Sequence, residues 1–319
     1  MTTIRSLPFA LAASLLLGCG GSSATGVATP DDTGVDATAP DQGAEAPRDD
    51  TGAEVNDASD APDAAPDWPT CDSKPLGAAP TTIADLWANP PSTPSSSWIP
   101  GAYVTAISGA GCSSSATAAC QIFLADATSY ADLNDAARRA IRLMLWPPAS
   151  PHFAGVQVGD QVDVAAFAYR DTAKGANELL LDVSDTRRGC ARKVGSGAVS
   201  PVAATLSDLG SATAYEVTYG PVLVQLSAVS ATTDSKSVSK TTGGLFYPAS
   251  FDAGSSEPVS VSPYCLSGGT FTAYQPNTRY DFVTLTGVFG VFRPQAPADG
   301  GVPPTYLEIY PRTMADLVR

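Results

Sequence analysis

Apolar and polar positions alternate in short runs along most of this chain, and the runs are broken by Gly, Pro, Ser and Asn. This pattern predicts strands over 97–108, 120–126, 140–146, 158–170 and 178–184. In the fourth run Val162, Val164, Ala166 and Ala168 take every second position, as in a strand with one buried face. Lys174-Gly175-Ala176-Asn177 supplies the turn into the fifth. A second series over 216–230, 243–250, 257–266, 280–292 and 305–311 repeats the order more faintly.

Three short segments punctuate the two series: Thr82-Ile83-Ala84-Asp85-Leu86, Thr205-Leu206-Ser207-Asp208-Leu209 and Thr313-Met314-Ala315-Asp316-Leu317. Each reads as a turn into a short helix, with the Thr as N-cap and two apolar residues spaced to tuck under a sheet. They bracket two units of similar length.

The first apolar block is of another kind. Arg5 precedes a mainly apolar stretch from Leu7 to Leu17, and the small residue Gly18 stands before Cys19. The stretch is shorter than the ~20 residues a membrane-spanning helix needs, so residues 1–18 read as an export signal. Leu16-Leu17-Gly18-Cys19 resembles the lipobox of bacterial lipoproteins. The resemblance implies cleavage before Cys19, lipidation of its thiol and a membrane held as partner through the lipid. Gly20, in place of an acidic residue after the cysteine, points to the outer membrane.

Residues 19–70 form an anchor and linker. From Gly20 to Thr70 there are twelve acidic residues against Arg48 alone, with almost no large apolar residue before Trp68. Such a stretch buries too little surface to offset its ordering entropy and is expected to be disordered, with a reach of ~40 Å. Its Asp residues lack the spacing of a calcium loop. This tail carries most of the chain's net charge of −14. The remainder is only mildly acidic, which argues against a surface that tracks phosphates and against nucleic acid as partner.

The strand order, with Val158-Gly159-Asp160-Gln161-Val162-Asp163-Val164 followed by Glu178-Leu179-Leu180-Leu181, resembles the OB-fold, a small five-stranded Greek-key barrel. The second series carries the resemblance in Val283-Thr284-Leu285-Thr286-Gly287-Val288 and Tyr306-Leu307-Glu308-Ile309, with Asn277-Thr278 where the Gly-Asp turn would stand. The expected architecture is all-β: two tandem OB-like barrels over 71–197 and 198–319. One larger β-sandwich is the alternative.

Five cysteines remain beside Cys19. Outside the cytoplasm they are expected to pair. Cys112 and Cys120 flank a short Ser/Ala loop that closes easily, and a Cys71–Cys190 bond would clasp the ends of the first unit, leaving Cys265 free.

Candidate chemistry is sparse. The single histidine, His152, sits in a connector and is too isolated for zinc or a catalytic triad. Ser237-Val238-Ser239-Lys240 matches S-x-x-K, but in a polar loop without the partner segments that motif requires. Asp160, Asp163, Asp182 and Glu308 lie in or beside strands, and a hydrolase would need two of them converging. Tyr103, Phe123, Phe167 and Tyr169 lie on predicted strands and are candidates for stacking on a ligand. No cofactor, metal or catalytic residue is indicated. The sequence thus reads as an envelope lipoprotein with a binding or scaffolding module for a sugar, peptide or protein. An envelope hydrolase is one alternative. A nucleic-acid-binding protein, which would need Arg138, Arg139, Arg142, Arg192 and Lys193 in one stripe, is another.

Overall fold

The computed structural model describes residues 68–72, 78–108, 112, 119–172, 176–232, 249–251, 259–266, 275, 278–293 and 305–319, with backbone alone at Ala79 and at Ala249–Phe251. The export signal, Cys19, the acidic stretch before Trp68, the Ser237–Lys240 segment and most of the predicted 243–250 strand lie outside these residues.

The first sheet contains β1 (Ala79–Pro80), β2 (Ser95–Ile107), β3 (Cys120–Ala125), β4 (Ala140–Leu145), β5 (Asp160–Asp171), β6 (Glu178–Val183) and β7 (Cys190–Ser196). Five of these close a barrel in the order β2-β3-β4-β6-β5, because β5 also pairs with β2. The β4–β6 pair is parallel and the other contacts in the ring are antiparallel. Two strands were not predicted. The two-residue β1 lies against β2, and β7 lies against β5. The β7 sequence CARKVGS alternates weakly and is largely exposed, so no apolar period betrays it.

The barrel interior is filled by the alternate positions that the pattern singled out: Val162, Val164, Ala166 and Ala168 from β5 meet Ile122, Leu124, Ile141, Leu143 and Leu181. Helix α1 (Ile83–Ala88) adds Ile83, Leu86 and Trp87 to the same core. The Trp87 indole N–H donates to the Ala140 carbonyl at 2.9 Å, so α1 covers the end where β4 begins. Gly159, at φ 88°, makes the turn into β5.

The second sheet comprises β8 (Val202–Ala203), β9 (Leu223–Thr232), β10 (Ala249–Phe251), β11 (Val259–Val261), β12 (Arg279–Phe292), β13 (Tyr306–Tyr310) and β14 (Leu317–Val318). Its order is β14-β12-β13-β11-β10-β9-β8, with β12 also paired to β9 and β11 parallel to β13. Two expectations are corrected here. The strand predicted over 257–266 ends at Val261, because Pro263–Cys265 form a 3-10 turn. The strand predicted from Glu216 begins only at Leu223, because Ala214–Tyr219 form a π-helical turn that places Tyr215 in the core. Gly220 ends that turn at φ 75°, where a Cβ would stand 2.7 Å from the Trp87 ring.

All three T-x-x-D segments form capping boxes. Thr82, Thr205 and Thr313 accept from the backbone N–H three residues on, and the Asp carboxylate at that position receives the Thr backbone N–H in return. They start α1, α2 (Leu206–Leu209) and the 3-10 turn Met314–Asp316. Among the described residues no helix is long and apolar enough to cross a membrane.

Candidate functional site

Most of the outward face of β3 is covered, with Gln121 half-buried at its edge. Phe123 and Ala125 join Ala106, Val199, Leu223, Cys265, Val288 and Tyr310 in one apolar cluster, so the second sheet covers that wall of the barrel. The Phe123 and Tyr310 ring centroids stand 5.9 Å apart. Tyr310 itself lies across β12 at Gly290, where a Cβ would fall 2.0 Å from its ring. Glycine is therefore required at that crossing.

Polar groups complete the junction. Arg142 of β4 and the Tyr215 hydroxyl each approach Glu178 at 2.5 Å, on its two separate oxygens. Burial, then the Glu178 charge, holds the Tyr215 hydroxyl well above the usual range for a tyrosine. Arg293 pairs with Glu216, which also accepts the Asn177 N–H at 3.2 Å. Arg170 donates to the Asn177 carbonyl at 2.8 Å and lies over the Trp87 ring. Beside Tyr310, burial pushes the Glu308 carboxyl up to about 7, against the lowering effect of its hydrogen bond with Tyr310. Burial also raises the thiol of Cys265, with the Glu308 charge adding to the effect.

Of the aromatic candidates, Phe123 is fully buried in the junction and offers no face to a ligand. Tyr103 is half-buried against the same cluster, with its ring edge on Gly197. Phe167 and Tyr169 are half-buried on the outward face of β5. Phe167 sits opposite Asp182 of β6 in the strand register, and Arg187 pairs with Asp182 while lying over the Tyr169 ring at 5.4 Å. This wall thus combines two aromatic rings, a carboxylate and a guanidinium. Burial, then Asp182, raises the Tyr169 hydroxyl. One oxygen of Asp182, Oδ1, is buried without a hydrogen-bond partner.

The remaining carboxylates are engaged separately. Asp160 meets Lys193 at 2.5 Å, and Asp163 meets Arg192 at 2.7 Å while accepting the Gly101 N–H at 2.9 Å. Among the candidate cations, Arg139 pairs with Asp126 and Asp135, and Arg138 donates to the Val217 carbonyl. The five basic residues are thus distributed over separate internal contacts. His152 stacks on Trp68 with centroids 4.1 Å apart, and burial, then Arg188, lowers its pKa. Among the described residues no cluster of His, Cys, Asp or Glu could hold a metal ion.

Cys71–Cys190 and Cys112–Cys120 are disulfides, and Cys265 is a buried free thiol. Sequence reasoning missed the polar junction. Its members come from distant segments, and only the buried charge of Glu178 at the start of an apolar strand could have drawn attention.

No family model matches the chain, and no curated protein matches it. Among solved structures, it is similar to a replication protein A heterotrimer bound to single-stranded DNA, at 11% identity over 75% of this chain and 70% of that one, with a TM-score of 0.23.

Proposed function

We propose that the protein is an envelope lipoprotein, anchored at the outer membrane through acylated Cys19, whose body is a non-catalytic binding or scaffolding module made of two OB-type barrels. The parallel β4–β6 and β11–β13 pairs, and the β2–β5 and β9–β12 contacts, support one connectivity for both halves. The observation that carries the reading is how the polar side chains are used. Asp160, Asp163, Asp182 and Glu178 are each held by a different cation, and the remaining candidate, Glu308, is buried against Tyr310. Carboxylates spent in this way favour binding over acid–base hydrolysis. Arg139, Arg142, Arg192 and Lys193 are the cations of separate ion pairs, which disfavours a phosphate-tracking stripe.

With the β3 wall covered, the wall carrying Phe167 and Tyr169 is the ligand surface this reading favours, for a sugar, peptide or protein in the envelope. The anchor is tested by cell fractionation. The wild-type chain is expected with the outer membrane, and Cys19→Ser in the soluble fraction. Cys19→Ser remaining in the membrane would reject lipid anchoring. Capture of envelope material by the wild type, lost in Tyr169→Ala, tests the surface.

A further inference from the structure

Residues 68–72 are fastened to the barrel in three ways. The Trp68 ring is stacked on His152, 19° from parallel, with the Arg188 guanidinium 5.5 Å from the Trp68 ring centre. Cys71 is bonded to Cys190, the first residue of β7. Arg192 donates to the Asp72 carbonyl at 2.8 Å. Cys71 and Cys190 are buried with Ala78, Trp98 and Ala165 on an outer wall of the barrel distinct from the one facing the second sheet.

The position of the disulfide in the chain gives this fastening a mechanical meaning. All five strands of the closed ring, from Ser95 to Val183, lie between Cys71 and Cys190. A pull arriving from the N-terminal side passes from Cys71 directly to Cys190 and onward along the chain. Without the bond, the pull would reach the two-residue β1 first, and so short a parallel pair peels easily.

We propose that the Trp68 clamp and the Cys71–Cys190 bond form a mechanical bypass that keeps the five-stranded ring out of the load path of the N-terminal segment. The physics holds for any tether. Its use by the cell rests on the anchor proposed above, and that anchor is tested separately by fractionation of Cys19→Ser. The clamp and the bond divide the work. The stack resists small displacements of residues 68–72, and the covalent bond carries larger loads.

The test is single-molecule extension of the full chain, pulled from the acidic segment and from the C-terminus. The oxidised wild type is expected to release no length from the segment between Cys71 and Cys190. Cys71→Ser/Cys190→Ser is expected to release about 400 Å more, at roughly 3.3–3.6 Å per residue. Oxidised wild type that already releases this length would overturn the bypass, as would a double variant that releases no more than wild type. A dithiol reductant provides the same comparison without mutation: the Cys71–Cys190 sulfur–sulfur bond breaks to two thiols while the dithiol is oxidised to its disulfide. The Cys112–Cys120 loop, with a sequence separation of 8, adds only a small increment. The clamp is read separately by amide exchange over residues 70–72. Trp68→Ala with the disulfide intact is expected to accelerate exchange there about tenfold, the scale of one lost ring stack and one cation–π contact, and to leave β3, β4 and β6 protected. Unchanged exchange at 70–72, or faster exchange throughout the barrel, would show that Trp68 is no local clamp.

Discussion

Phe123 of β3 and Tyr310 of β13 face each other across the junction, with ring centroids 5.9 Å apart and planes 45° apart. Both are buried on the outward faces of their strands, so each sheet supplies the cover for the other. A ring pair of this kind adds ~0.5–1.5 kcal/mol to the burial of its own surface. Phe123→Ala is therefore expected to cost about 3–5 kcal/mol of stability in urea unfolding, the usual range for a buried Phe. Phe123→Leu should cost clearly less.

The Arg142–Glu178–Tyr215 contact is buried, and its members come from β4, β6 and the turn before β9. Removing one partner leaves the others unpaired in a buried junction. Glu178→Ala is expected to destabilise by about 3–5 kcal/mol, whereas Arg142→Met with Glu178→Leu should recover much of that loss. A double-mutant cycle measured by denaturant unfolding checks the coupling.

Glu308 gives the fold a pH dependence of definite sign. Its carboxyl titrates at about 7 when folded, above an ordinary glutamate at 4.5. The native state therefore keeps a proton that the unfolded chain has lost between those values. The stabilisation is fully present below about pH 4.5 and falls as pH rises through about 7, for a total of roughly 3 kcal/mol. Urea midpoints from pH 5 to pH 8 should decline, and Glu308→Gln should flatten the contribution of this group. An unchanged slope in Glu308→Gln would show that another group sets it.

The two disulfides close loops of very different size, with separations of 119 and 8 residues. In the chain-entropy account the first contributes about 5 kcal/mol and the second about 2.5 kcal/mol. Serine pairs at each bond, compared by thermal unfolding, should rank in that order.

What was legible in the sequence was whatever one residue's neighbours along the chain determine. The five ring strands of the barrel announced themselves because a buried interior forces period-2 alternation, clearest at Val162, Val164, Ala166 and Ala168. The three Thr N-caps were readable because a cap is a local feature, while the reciprocal bond from each Asp three residues on was seen only in the structure. Strand β7 was hidden because it adds to the outer wall and buries little of its own surface. The junction left one faint mark: CQIFLA in β3 and YLEIY in β13 hold buried residues at consecutive positions, the sign of a strand covered on both faces. Which element provides the cover is a long-range fact that such runs do not carry. Phe123 looked like a ligand platform for that reason.

The claim on which the account turns is that the two sheets form one body joined through the covered β3 wall. All four tryptophans, Trp68, Trp87, Trp98 and Trp146, lie in the first half of the chain, so their fluorescence follows mainly that half, Trp87 alone of the four being packed against Gly220 of the second, while far-UV circular dichroism reports both halves equally. Equilibrium urea unfolding of the full chain, followed by the two signals together, is the most direct measurement. Coincident midpoints and a single transition are expected. Separate transitions, with the fluorescence change displaced from the circular dichroism change, would contradict it.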